Sequence, residues 1–179
     1  MANAREKIKT LEEIVAITHD AHAKGKRIVT TNGAFDLIHA GHIRNLEEAK
    51  LQGDILIVGI NSDASIRNYK GSERPILGES DRAEIVAGLA SVDYVFVFND
   101  PDPRPWLLKI HTDVHVKGGD WKSPDTSRTI TSIVEAPLLE KKGVKLVLVD
   151  VVPEKSTTAI IEKIKRFARE NQEVKNPLS

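Results

Sequence analysis

Five short runs rich in valine, isoleucine and other strand-forming residues constrain this chain more than any other feature: RIVTT at 27–31, DILIVGI at 54–60, YVFVF at 94–98, DVHVK at 113–117 and VKLVLV at 144–149. Each is too short for a core helix, and a segment of helical period or polar loop separates it from the next. After Asp54, the run ILIVGI is apolar throughout, as expected of an interior parallel strand covered on both faces. Strands alternating with helices, joined by right-handed crossovers, predict an α/β fold: a doubly wound parallel sheet of about five strands with helices on both faces. Ligands of such sheets bind at the carboxyl ends of the strands, and every unusual polar cluster here follows a predicted strand.

The segments between the runs read as their covering layers. Thr10-Leu-Glu-Glu13 has capping-box spacing, and Leu11, Ile14, Val15 and Thr18 share a face, so a first helix is expected to reach about Lys24 and stop at Gly25. Ile43, Leu46 and Ala49 predict a helix over 40–52 with Gly53 as its C-cap. Residues 68–78 are polar, contain Gly71, Pro75 and Gly78, and read as a loop. Helices are expected over 81–90 and 105–110, and a further one ends near Gly143, kinked or split by Pro137. Ser156 is placed to cap a last amphipathic helix with Ile160, Ile161, Ile164 and Phe167 on one side. The expected organisation is an N-terminal helix over 1–26, one α/β domain over 27–171 and a tail over 172–179.

Charge narrows the function. Lys plus Arg number 26 and Asp plus Glu number 26, so the chain lacks the broad positive field of a nucleic-acid or anionic-membrane binder, and any phosphate binding must be local. The absence of cysteine excludes disulfides, thiolate metal sites and cysteine nucleophiles. A polar N-terminus and the lack of a membrane-spanning apolar run make a cytoplasmic location the expectation.

The sharpest chemical signal is Thr31-Asn-Gly-Ala-Phe-Asp-Leu-Ile-His-Ala-Gly-His42, which bridges the first predicted strand to its helix. His39 and His42, three residues apart at a helix start, project from one face, and Gly41 between them admits a ligand to the backbone. Two imidazoles and helix N-terminal amides then converge on one spot, able to hold phosphate oxygens and stabilise charge arriving on them. Solvated or packed histidines are the bland alternative, and a zinc pair is another, although no Cys and no suitably spaced carboxylate completes it. Neither a Walker loop nor a Gly-x-Gly-x-x-Gly turn follows the strand.

This segment resembles the His-x-Gly-His signature of the cytidylyltransferase-like nucleotidyltransferases. Ile60-Asn-Ser-Asp-Ala-Ser65, Lys70-Gly-Ser-Glu-Arg-Pro75, Asp81-Arg82, Val92-Asp93, Val116-Lys-Gly-Gly-Asp-Trp121 and Lys155-Ser-Thr-Thr158 follow in the order seen in heptose 1-phosphate adenylyltransferases. The resemblance runs from about Arg27 to Ile164. It implies a Rossmann-like fold and transfer of AMP from ATP to a heptose 1-phosphate, with Mg²⁺, giving ADP-heptose for a surface glycan. It also implies a homodimer and, since no kinase-like region fits in this chain, a separate sugar kinase supplying the acceptor.

The expected catalytic residues are His39, His42, Lys70 and Arg82. Lys70 and Arg74, in a donor-rich loop, can close over a phosphorylated substrate, and Arg82 is placed to meet a second phosphate; ordinary surface charge is the competing reading of all three. Thr31, Asn32, Gly33, Ala34, Phe35 and Gly41 belong to the nucleotide turn. Ser156, Thr157 and Thr158 offer hydroxyls and amides to a triphosphate, or form a plain N-cap. The resemblance implies base and ribose contacts at Lys117, Gly119 and Asp120. Asp36, Asn61, Asp63, Arg74 and Trp121 are expected to face the acceptor, and Asp36, Asp63 or Asp120 to orient Mg²⁺ or a sugar hydroxyl; no metal ligand is assigned. His19, His22, His111 and His115 read as structural.

Rival readings remain. A glycerol-3-phosphate cytidylyltransferase shares the His-x-Gly-His turn and Trp121, but usually carries Arg-Thr-x-Gly where this chain has Val151-Val-Pro-Glu-Lys155. A binding module without catalysis would keep the pocket alone. A class I aminoacyl-tRNA synthetase would need a larger, more basic chain.

Overall fold

A computed structural model describes residues 3–119, 133–150 and 157–175. The five expected strands are present as β1 (Ile28–Gly33), β2 (Ile55–Asn61), β3 (Tyr94–Phe98), β4 (Val114–Gly119) and β5 (Lys145–Asp150). They form one sheet in the order β3-β2-β1-β4-β5, every pair parallel. The chain builds outward from β1 to β3 and then returns to lay β4 on the other side of β1. The order therefore reverses between β1 and β4, and a crevice opens at their carboxyl ends.

Strand alternation divides the core in two. On one face Val29, Leu56, Val58, Val95, Val114 and Val116 pack under α3 (Ala40–Lys50) and α5 (Glu79–Ala87), which contribute Leu46, Ala49, Ala83 and Val86. On the other, Ile28, Ile57, Phe96 and Phe98 pack under α2 (Leu11–Ala23), α6 (Arg104–Lys109) and α7 (Ala136–Lys141) through Ile14, Trp106, Leu107 and Leu139. The period-two pattern of each strand thus supplies both cores at once.

Several boundaries have visible causes. Thr10 and Glu13 form the expected capping box of α2, and Gly25 follows its end at φ 70°. Ile14 is fully buried, so the segment read as an N-terminal helix covers one face of the same sheet, preceded by a single extra turn, α1 (Ala4–Lys7). Three expectations are corrected. Residues up to Lys70 are helical, forming α4 (Asp63–Lys70), because Ser62 Oγ accepts from Ser65 N and caps the start; the loop begins only at Gly71. Pro137 opens α7 instead of kinking it, sitting where its missing N–H costs nothing. Leu51 is the C-cap of α3, and Gly53 is needed for close approach, since a Cβ there would lie 2.8 Å from the Arg27 carbonyl oxygen. The last helix, α8 (Thr157–Lys175), leaves Ile164 and Phe167 largely exposed. No described helix is long and apolar enough to cross a membrane.

Candidate active site

The turn after β1 is shaped by one unusual residue. Phe35 adopts φ 47°, a left-handed conformation costly for a bulky side chain. Its ring lies so close over Gly33 that a Cβ there would be 3.1 Å from it, and it stands 5.3 Å from the His42 ring. His39, extended at φ −140°, is the N-cap of α3 but makes no side-chain cap, which leaves first-turn amides for an anion. The His39 and His42 imidazoles stack with centroids 3.9 Å apart. The three-residue spacing therefore brings the rings together as expected.

A cavity of about 410 Å³ opens in front of this pair at the β1/β4 crevice. Thr31, Asn32, Gly33, Ala34, Phe35, Gly41, Lys70, Gly119, Thr157 and Thr158 line it along with the two histidines. The turn supplies most of this wall, and Lys70 reaches it from the last turn of α4. Thr157 Oγ1 donates to the Leu37 carbonyl at 3.2 Å, tying the start of α8 to the histidine turn across 120 residues of sequence.

The electrostatics suit an anionic ligand. Burial, with His39 and Lys70 nearby, pushes the His42 pKa down to about 4, so its ring is neutral near pH 7 and donates one N–H. Its buried Nδ1 has no hydrogen-bond partner among the described residues. Partial desolvation of its otherwise exposed ammonium, with Arg74 close by, also lowers the Lys70 pKa. An entering triphosphate would relieve both penalties.

Other expected residues hold the scaffold. Arg82 was expected to face a second phosphate, but its guanidinium is wholly buried and donates to the carbonyls of Leu77, Ala34 and Asn61 and to Asp63 Oδ1. Asp36 is 2% exposed; one oxygen takes Arg74 Nε at 2.6 Å and the other the amides of Ile76 and Leu77. Those hydrogen bonds, outweighing burial, hold its carboxyl below the usual carboxylate range. Asp36 and Arg74 thus latch the 71–78 loop to the histidine turn. Asn61 and Lys117 line a second cavity beside the first. Asp120, Trp121 and Ser156 lie outside the described residues.

No described carboxylate lines the first cavity, so among the described residues its walls hold no carboxylate ligand for Mg²⁺, and an ion carried in with ATP would be held there by the ligand phosphates. His22, His111 and Asp113 form the one cluster of three metal-capable side chains among the described residues, at the opposite, amino end of the sheet.

The sequence reading missed two groups. Asn45, one turn beyond His42, lines the first cavity, and Gly118 opposes it so closely that a Cβ would fall 2.1 Å from Asn45 Nδ2. Periodicity marks Asn45 as a non-core position of α3 but carries no sign of this contact. Glu135 and His115, both buried, meet behind Lys117.

Comparison with known proteins decides the family. The cytidylyltransferase-like family matches residues 30–163, well over half of the chain and the whole span from β1 into α8. The chain belongs to the cytidylyltransferase-like family. Relatives of this cytidylyltransferase-like domain include the bifunctional protein HldE of Geotalea uraniireducens (strain Rf4), 45% identical over 159 residues, covering 89% of this chain and 31% of that protein. HldE of Aliarcobacter butzleri (strain RM4018) is 41% identical over 175 residues, covering 98% of this chain and 34% of its own. The cytidylyltransferase-like domain therefore spans about a third of the length of these relatives. Among solved structures, the lipopolysaccharide core biosynthesis protein from Thermoplasma volcanium GSS1 superposes with a TM-score of 0.57 at 25% identity, covering 73% of this chain and 100% of its own.

Proposed function

We propose that this domain is a nucleotidyltransferase that transfers AMP from ATP to a heptose 1-phosphate, giving ADP-heptose and pyrophosphate. The stacked His39–His42 pair at the uncapped start of α3, inside a cavity closed by the start of α8, is the observation that carries the reading. The heptose is supported by the order of motifs along the chain, by the HldE relatives and by the structural neighbour's role in lipopolysaccharide core biosynthesis.

The chemistry is one in-line displacement. A phosphate oxygen of the acceptor forms a bond to the α-phosphorus of ATP while the bond to the β-phosphate bridging oxygen breaks, and pyrophosphate leaves with the electron pair. No covalent enzyme intermediate is needed. Negative charge moves toward the pyrophosphate, and neutral His42, His39, the α3 amides and the Thr158 hydroxyl stabilise it from fixed positions. Lys70, exposed at the end of α4, closes over the phosphates from outside. Mg²⁺ carried in with ATP would neutralise further phosphate charge.

Pyrophosphate release with Mg²⁺, in a grid of ATP or CTP against heptose 1-phosphate or glycerol 3-phosphate, tests the proposal. Release confined to ATP with the heptose is the expected result. Release with CTP and glycerol 3-phosphate would retain the mechanism and replace both substrates, and ATP binding without turnover in any pair would make the domain a binding module.

A further inference from the structure

The second cavity, about 360 Å³, is lined by Asn32, Asn61, Tyr69, Asp102, Lys117 and Glu135 among others. It shares Asn32 and Gly118 with the histidine cavity, so the two meet at the carboxyl ends of β1 and β4. An acceptor attacking an α-phosphorus held in the first cavity must approach from a space that abuts it, and this one does. Its only described cation is Lys117.

Lys117 is held from behind. Its ammonium donates to Asn32 Oδ1 at 3.0 Å and pairs with Glu135 Oε1. Glu135 is 1% exposed, far too buried for a carboxylate without partners. His115, with no exposed surface, faces the same oxygen through Nε2 at 3.5 Å, while its Nδ1 lies 2.9 Å from Thr30 Oγ1, itself 3.0 Å from Thr112 Oγ1. A carboxylate only accepts, so the imidazole presents Nε2–H to it and Nδ1 accepts from Thr30. Burial works against the Glu135 charge, but His115 and Lys117 hold its pKa down to about 2, and burial keeps His115 neutral. An ammonium has three N–H donors: one goes to Asn32, and the ion pair with Glu135 holds the group from behind. The ammonium is partly exposed, and Lys117 lines the cavity.

We propose that Glu135 and His115 are positioning residues that fix the Lys117 ammonium in the wall of the second cavity, where it anchors the phosphate of a phosphorylated sugar acceptor. The inference rests on the nucleotidyltransferase reading for the acceptor's identity. Fixing the cation before binding removes the cost of ordering a lysine at the moment of transfer.

Steady-state kinetics with ATP and heptose 1-phosphate test it. Glu135→Gln keeps the shape and removes the charge; it should raise the acceptor KM about tenfold with the ATP KM within about twofold. In a Lys117→Met background the same change should add nothing, because Glu135 acts through Lys117. Additive losses, or an acceptor KM unchanged in Glu135→Gln, would overturn the proposal in favour of a purely structural pair. A second readout needs no turnover: the ¹³Cε signal of Lys117 in lysine-labelled protein, titrated with inorganic phosphate, should shift saturably in the wild type and not in Glu135→Gln. A wild type that shows the shift but releases no pyrophosphate defeats the nucleotidyltransferase reading and leaves the anchor standing. A wild type without the shift defeats the anchor whatever its activity.

Discussion

Arg82 Nη2 donates to Asp63 Oδ1 at 2.7 Å from a guanidinium that has no exposed surface. The same side chain reaches carbonyls of the nucleotide turn, the end of β2 and the 71–78 loop, so one cation fastens three segments around the crevice. Truncation to Arg82→Ala would strand those carbonyls and an anion. A loss of about 3–5 kcal/mol is expected, read as a lower urea midpoint. Wild-type stability in Arg82→Ala would contradict the scaffold role and return the residue to the ligand.

His42 should behave in the opposite way. Replacing it by Ala removes a donor from the cavity wall but little of the core, so the unfolding midpoint should stay near wild type. The rate of pyrophosphate release should fall by about a hundredfold or more, roughly 3 kcal/mol in the transition state. A loss smaller than about fivefold would remove it from the catalytic set.

The low His42 pKa also has a thermodynamic signature. The unfolded chain takes up a proton near pH 6.5 that the folded chain refuses until about pH 4. The unfolded state therefore binds more protons across that window, and stability must fall as pH drops through it. Glu135, held at about 2 against an ordinary 4.5, adds a second loss at lower pH, as folding stability declines from 4.5 downward. Urea midpoints measured against pH should show a shallower limb between pH 4 and 6.5 for His42→Gln than for wild type. Saturating ATP should raise the His42 pKa, which an imidazole NMR titration reads directly; no upward shift would place the phosphates elsewhere.

Gly118 and Asn45 form a testable pair. A Cβ at Gly118 would meet only the far end of a rotatable side chain, so Gly118→Ala should fold, with the Asn45 amide pushed from its place in the cavity wall. ATP binding should weaken by about tenfold, as expected for a displaced polar contact. In an Asn45→Ala background the clash is gone, and the glycine substitution should cost much less than in the wild type. Calorimetric titration of the four proteins with ATP decides; strictly additive effects would rule the contact out.

The strands were legible because each buried run announces itself: DILIVGI can only be an interior strand, and it pairs with neighbours on both sides over Ile57–Ile60. The histidine turn was legible for a similar local reason, since a three-residue spacing at a helix start puts two rings on one face. Helix α4 was missed because its period is masked by polar residues, and what makes it a helix is the Ser62 cap. Arg82, Asp36 and Arg74 were read as ligand contacts because sequence displays charge but not where it is spent.

The sequence by itself determined the strand order of appearance, the alternating layers and the position of the histidine turn, because these follow from periodicity and from neighbours within a few residues. Only the tertiary structure decided which polar groups face the crevice. Arg82 turned inward to carbonyls 5, 21 and 48 residues away, while Lys117 met Asn32 from 85 residues off and found Glu135 behind it. Such pairings are set by parallel strand register and by the cost of leaving a buried charge unpaired, and neither is expressed in any local stretch of the chain.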